Sequence, residues 1–236
     1  MYSFDSKIRY SECDGNCKLR PDALMNYFQD ASTFQSESLG VSFSYLMPRN
    51  MVWVLVAWQI EIYRYPALGE EVETGTLPYD FKGFLGMRNF CMKTKAGEML
   101  AQANSVWTLL RFDTMKPVQP PKDMLEKYQV EPCLDMNYAG RKIVVAEGGT
   151  CLAPIVVQRQ HLDSNNHVNN TQYVSMVMNY LPQDFAIGQI RVEYKRQAHL
   201  NDVLIPYVVE TDDLVTISLR GEDAGVYVNV EFRKAK

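Results

Sequence analysis

The cysteines of this chain form no pattern that chemistry would need. Its five (Cys13, Cys17, Cys91, Cys133 and Cys151) are odd in number, scattered, and never spaced Cys-x-x-Cys. Neither a zinc site nor a disulfide framework is indicated, and reduced thiols in a cytoplasmic protein are the expectation. Long apolar runs are missing as well: none approaches the roughly 18 residues of a membrane span. The first residues, Met1-Tyr-Ser-Phe-Asp-Ser-Lys7, carry no apolar signal region and lead directly into a strand-like pattern. Positive charge is in deficit, with 24 Lys+Arg against 28 Asp+Glu and a net charge of −4. That excludes the basic footprint of a general nucleic-acid binder. There is no Gly-x-Ser-x-Gly elbow and no Gly-rich phosphate loop, which argues against a serine hydrolase or a nucleotide enzyme. No cofactor or metal is expected.

What is present is enough apolar material for a large core. The chain has 236 residues, 47% of them hydrophobic, so it can bury roughly 70–75% of its unfolded surface without staples. That length fits one large domain or two of about 100–120 residues. An internal repeat favours two. Arg9-Tyr-Ser-Glu-Cys-Asp14-Gly-Asn16-Cys-Lys18-Leu19 leads into a helical pattern from Pro21 to Ser38 that ends at Gly40. Arg159-Gln-His-Leu-Asp163-Ser-Asn165-Asn-His167-Val168 leads into a second, with Tyr173, Val174, Val177 and Met178 at its apolar positions. Asp14 aligns with Asp163, Asn16 with Asn165 and Lys18 with His167. Further on, the segment from Ile60 to Val72 parallels the one from Arg191 to Val203. The first copy carries extra residues between the blocks, around Val41 to Asn50.

Each copy reads as strand, helix and several long strands, one long central helix wrapped by an antiparallel sheet, an α+β pattern built twice. The first-copy strands are expected near Tyr2–Glu12, Val52–Tyr65, Glu71–Tyr79, Phe84–Lys95 and Met99–Phe112. The second-copy strands are expected near Leu152–His161, Gly188–Arg196, Val203–Val209, Val215–Arg220 and Val226–Phe232. Lys95-Ala-Gly-Glu98 and Glu222-Asp-Ala-Gly225 have the composition of hairpin turns. Ala23, Leu24, Tyr27, Phe28, Ala31 and Phe34 form a core stripe on the first helix. The division is residues 1–113, a proline-rich linker at 114–140, and 141–236.

The chemistry gathers at residues 163–167. Asp163, Asn165 and His167 alternate, and in an extended segment alternate side chains point to one side. A carboxylate, a carboxamide and one of only three histidines would then converge just before a helix that Asn169 or Asn170 can cap. Turn and capping roles explain Asp163 and Asn165 equally well, as Asp14 and Asn16 persist in the first copy without the histidine. Glu193 reads as a salt-bridge partner on a strand, and His161 and His199 as ordinary strand or turn residues.

A tandem strand–helix–strands unit with a polar site at the helix entry resembles the double hotdog architecture. Asp163-Ser-Asn165-Asn-His167-Val-Asn-Asn resembles the active-site motif of the acyl-(acyl carrier protein) thioesterases, and Asp163, Asn165 and His167 match that family's catalytic positions one by one. Val192-Glu193-Tyr194-Lys195-Arg196, Trp53–Tyr65 and Arg111-Phe-Asp-Thr-Met-Lys-Pro are similar to other family segments. There is a departure. Where plant members continue Glu-Tyr-Arg-Arg-Glu-Cys, this chain has Gln197 in place of a catalytic glutamate and Ala198 in place of a cysteine. Glu193 lies about 13 Å away along an extended strand and does not replace that carboxylate. Gln197 can order a water but cannot accept a proton.

The resemblance implies hydrolysis of fatty acyl-acyl carrier protein to free fatty acid in fatty acid biosynthesis. Asp163 would be nucleophile or general base, Asn165 would orient the carbonyl or Asp163, and His167 would position Asp163 or protonate the thiolate. A backbone N–H at the start of the second helix would stabilise the oxyanion. The first copy would hold the acyl chain, with Trp53, Trp58, Phe84, Met87 and Trp107 as candidate walls. Acyl carrier protein is the expected partner, docking on Arg141-Lys142, Lys195-Arg196, Lys116 or Lys122, and a homodimer is open. An acyl-CoA thioesterase, a lyase with a His and a carboxylate, and a non-catalytic acyl-binding module remain alternatives.

Overall fold

Helix α1, Pro21–Ser38, starts where proline suits a helix best, at its first position, and stops where Gly40 takes a φ of +63° that an L side chain disfavours. The computed structural model to which it belongs describes residues 1–235. Ala23, Leu24, Tyr27, Phe28 and Ala31 are buried as the helical spacing predicts. Phe34 departs from the stripe: it is 44% exposed and packs edge-on against Phe4, with ring centroids 5.4 Å apart.

The chain divides into two compact units, Met1–Val56 with Ile62–Tyr138, and Ala57–Glu61 with Ala139–Lys236. The strands of the N-terminal unit are β1 (Tyr2–Lys7), β2 (Met51–Ile62, whose middle belongs to the other unit), β3 (Glu71–Lys82), β4 (Leu85–Thr94) and β5 (Met99–Arg111). Antiparallel pairing runs β1–β3–β4–β5, and Phe28 of α1 meets Phe90 of β4 at 5.4 Å between ring centroids. Two short helices follow, α2 (Phe43–Leu46) and α3 (Lys122–Lys127). The proline-rich stretch after β5 is anchored here rather than strung out. Met124 and Tyr128 are buried beside Val41, Tyr45 and Leu109, and Leu134 N–H and Tyr138 O–H both donate to Asn89 Oδ1.

In the C-terminal unit the sequence pattern overestimates both regular elements ahead of the sheet. The strand expected near Leu152–His161 is broken into β6 (Thr150–Cys151) and β7 (Ile155–Val156), followed by a 3-10 turn at Arg159–His161. Pro154, between the two strands, has no N–H to give a ladder. The helix, α4, spans only Asn170–Met178, half the length of α1, although Tyr173, Val174 and Val177 are buried as expected. The sheet is antiparallel: residues 57–61 of β2, then β8 (Ile187–Tyr194), β11 (Val226–Lys234), β10 (Leu214–Arg220) and β9 (Val203–Glu210), which also takes β6 and β7. Both predicted hairpin turns form, closed by Thr94 N–H to Glu98 C=O and by Gly221 N–H to Gly225 C=O.

Candidate active site

The two copies of the sequence repeat fold into the same loop, through a matching set of backbone bonds. In the C-terminal unit the Arg159–His161 turn is closed by Gln158 N–H donating to His161 Nδ1 at 3.0 Å. In the N-terminal unit the turn at Tyr10–Glu12 is closed by Arg9 N–H donating to Glu12 Oε2 at 2.9 Å. A short bridge then pairs Leu162 with Val168, as Cys13 pairs with Leu19. Asp163 N–H reaches His167 C=O at 2.9 Å and Asp14 N–H reaches Lys18 C=O at 2.8 Å. Asn166 and Cys17 occupy matching positions with φ of 60° and 57°. Asp163 Oδ1 accepts Asn165 N–H at 2.8 Å, and Asp14 Oδ1 accepts Asn16 N–H at 2.9 Å.

This changes how the Asp-Asn-His alternation works. Residues 163–167 are a tight turn, not an extended segment, so chain reversal brings Asp163 to His167, while the Asn165 side chain stands apart at the tip. Asp163 closes that turn with one carboxylate oxygen while its charge acts on the His167 ring. Asn165 is exposed at the tip. His167 is half-buried. Its pKa is lowered first by desolvation and then by the neighbouring His199, while Asp163 acts the other way. Taken together these keep the imidazole neutral at pH 7, where it can accept a proton.

The loop is pinned to the segment that follows β8. Val168 N–H donates to Ala198 C=O and Ala198 N–H donates to Tyr173 Oη on α4, each at 2.9 Å. Ala198 is fully buried. The cysteine-to-alanine departure therefore lands on a packed backbone anchor. Gln197 is exposed beside it and forms no hydrogen bond among the described residues. His199, read from sequence as an ordinary residue, meets His167 edge to face with ring centroids 4.7 Å apart. The signal that could have found it was in the repeat, one residue off the register that the sequence suggests: His199 stands opposite Ala67, as His167 stands opposite Lys18.

Three of the helix-entry donors expected to hold an oxyanion are engaged. Asn169 caps α4 by accepting Thr171 N–H at Oδ1, Gln172 N–H is taken by Asn169 C=O, and Asn169 N–H by His161 C=O, all at 2.9 Å. The exposed carboxamide of Asn165 is the available donor instead. Glu193 is structural: Oε2 accepts Ile143 N–H and Asn229 Nδ2–H, each at 3.1 Å. Of the basic residues singled out, Arg196 pairs with Asp223 at 2.6 Å and lies over the Tyr227 ring, whereas Arg141 and Lys142 are exposed without an ion pair among the described residues. No group of three or more His, Cys, Asp or Glu among the described residues could hold a metal ion.

The N-terminal unit contains a largely apolar cavity of about 210 Å³. Trp53, Met87 and Trp107 line it as anticipated, with Phe81 and Leu46. Trp58 and Phe84 do not: Trp58 is buried opposite Val192, and Phe84 is 41% exposed. Arg88 is the buried charge of the cavity wall, donating to Gln35 Oε1 and to Thr76 Oγ1, and desolvation brings its pKa down to about 10.

Residues 1–128 match the family model of the acyl-ACP thioesterase N-terminal domain and residues 150–221 that of its C-terminal domain. The second match contains the Asp163–His167 loop, Gln197 and His199. The chain is 27% identical over 229 residues to oleoyl-acyl carrier protein thioesterase 1 of Arabidopsis thaliana, covering 88% of this chain and 63% of that protein. Two further plant acyl-carrier-protein hydrolases are matched over 48% and 51% of their length, so the chain spans about half to two thirds of these curated relatives. Among solved structures, an acyl-ACP thioesterase of Bacteroides thetaiotaomicron superposes with a TM-score of 0.90 at 20% identity, covering 99% of this chain and 97% of that one. The 12:0-ACP thioesterase of Umbellularia californica gives a TM-score of 0.88 at 19% identity, covering 99% and 96%. These neighbours establish the α+β hotdog fold, and with both domain models matched, this chain belongs to the acyl-ACP thioesterase family.

Proposed function

We propose that this protein hydrolyses fatty acyl-acyl carrier protein to free fatty acid and carrier protein, as a step of fatty acid biosynthesis. The observation that carries the reading is the His167 imidazole, held neutral beside Asp163 in a loop fixed to Ala198, within the span matched by the C-terminal thioesterase model. His167 removes a proton from a water as that water adds to the thioester carbonyl. The tetrahedral intermediate then collapses, the C–S bond breaks, and the imidazolium returns the proton to the leaving thiolate. Asp163 sets the loop and stabilises the transient imidazolium, since one of its oxygens is committed to Asn165 N–H. Asn165 donates to the carbonyl oxygen from its exposed amide. Gln197 orders the water, which its exposed carboxamide can do without taking a proton.

The cavity of the N-terminal unit is the proposed seat of the acyl chain, on the strength of its aromatic and Met walls. Arg141 and Lys142 are the proposed contacts for acidic carrier protein. Five unpaired cysteines support a reducing compartment, the cytoplasm in this reading. No described helix is long and apolar enough to cross a membrane. Light scattering separates a monomer from a homodimer. The direct test of the chemistry is thiol release from acyl-acyl carrier protein by wild type and His167→Ala. A fall of about 100-fold or more in kcat is expected for a lost acid–base group, and wild-type turnover in the variant would refute the assignment.

A further inference from the structure

The first copy of the loop acts as an internal control for the second. Both have the same turn, the same bridge and the same aspartate clasp. Where the loop meets the segment that follows, two changes alter the chemistry, Lys18 to His167 and Ala67 to His199: Ala67 N–H donates to Glu70 as His199 N–H donates to Asp202, and Lys18 bridges Ala67. These sites lie 32 residues apart in the second copy, and the fold brings both rings into contact, centroids 4.7 Å apart and planes at 73°.

His199 is itself held from two sides. Its backbone N–H donates to Asp202 Oδ2 at 2.9 Å, its ring Nδ1 lies 3.9 Å from that oxygen, and Tyr227 O–H donates to the same oxygen at 3.2 Å. One residue earlier, Ala198 is fixed through Val168 and Tyr173. The His199 ring is itself largely exposed, but its backbone is anchored on both sides, which fixes where the ring leaves the chain and sets it against His167.

We infer that His199 is a positioning residue for His167, an edge-to-face partner that fixes the orientation of the imidazole and adds a second ring nitrogen pair where Gln197 brings no carboxylate. The inference rests on the thioesterase reading of the site. The ionisable groups around the pair are Asp163 on the loop, Asp202 after β8, Tyr227 on β11 and Tyr173 on α4. Two imidazoles in contact disfavour a second proton, so His199 also helps keep His167 neutral.

The test compares His199→Ala and His199→Phe with wild type, by steady-state thiol release across pH and by NMR titration of the His167 ring in the resting protein. For His199→Ala, kcat falls about tenfold with KM within about twofold, the pattern of a misplaced base. His199→Phe keeps a ring against His167 and recovers kcat to within about threefold. In both variants the His167 midpoint and the acid limb of kcat/KM move to higher pH, because a neighbour that opposed protonation is gone. A wild-type kcat together with an unmoved His167 titration in His199→Ala overturns the inference, and so does a change confined to KM. If wild type releases no thiol while the His167 midpoint still moves, the thioesterase reading fails and the pairing of the two rings stands.

Discussion

Asp163→Ala and Asp14→Ala remove the same side chain from the same loop in the two copies, and the difference between them isolates chemistry from folding. Asp163 Oδ1 accepts one backbone N–H, from Asn165 at 2.8 Å, while Asp14 Oδ1 accepts two, from Asn16 and Lys18, each at 2.9 Å. A hydrogen bond to a charged group contributes about 1.5–3 kcal/mol net, and these solvent-facing loops belong at the lower end, about 1–2 kcal/mol for either variant. For a chain of this size that corresponds to a fall in Tm of about 2–8 °C. With at least about 5 kcal/mol of stability to start from, roughly 99% of either variant stays folded at 25 °C. Loss of fold therefore cannot account for a large loss of turnover. The site can: without Asp163 the His167 loop loses its clasp and the imidazolium loses its counter-charge, and a drop of about 100-fold in kcat equals about 2.7 kcal/mol of transition-state stabilisation. Asp14→Ala should match or exceed Asp163→Ala in urea or thermal unfolding and keep kcat within about twofold in a thiol-release assay. Equal losses of kcat in both variants would refute the division of labour, as would a loss in Asp163→Ala that tracks the unfolded fraction.

Protonation of two histidines should lower stability in mild acid. Folding depresses the pKa of both His161 and His167 below the ordinary 6.5, so the unfolded chain binds more protons between the folded and unfolded values. Stability then rises with pH across that window, and urea midpoints should fall as pH drops below about 6.5 and level off in stronger acid. His161→Asn, which keeps an acceptor for Gln158 N–H, should flatten part of that slope, and an unchanged slope would contradict it. Trp53→Ala removes an aromatic wall of the cavity, so product analysis by gas chromatography should show release shifted to longer acyl chains. An unchanged product profile would argue against the cavity as the acyl seat. Arg141→Glu with Lys142→Glu should raise KM for acyl-acyl carrier protein about tenfold while KM for the CoA thioester changes less than about twofold. Equal effects on both substrates would remove these residues from the docking surface.

The strands were legible where alternation and length agreed, which covers β2 to β5 and β8 to β11, because half-buried antiparallel strands carry a period of two. The strand before the Asp163–His167 loop is shorter than its composition suggests, since Pro154 interrupts the ladder. Phe34 fits the helical period but lies where Phe4, not the core, covers it. At the candidate site, residue types singled out Asp163, Asn165 and His167, while the extended geometry expected of them is replaced by a turn. A turn held by a side chain onto its own backbone has no periodic signature. The position of His199 against His167 depends on Val168 N–H meeting Ala198 C=O, a contact across 30 residues that pattern reading does not supply. The internal repeat carried the hint, by pairing both histidines with non-histidines in the first copy.

The most direct test of the central claim is thiol release by purified protein from an acyl-acyl carrier protein and from the matching acyl-CoA, measured side by side with binding of the same acyl group. The account predicts turnover of the carrier-protein thioester, lost in His167→Ala, with the CoA thioester the poorer substrate. Acyl binding without release from either thioester would contradict it and leave a non-catalytic acyl-binding protein.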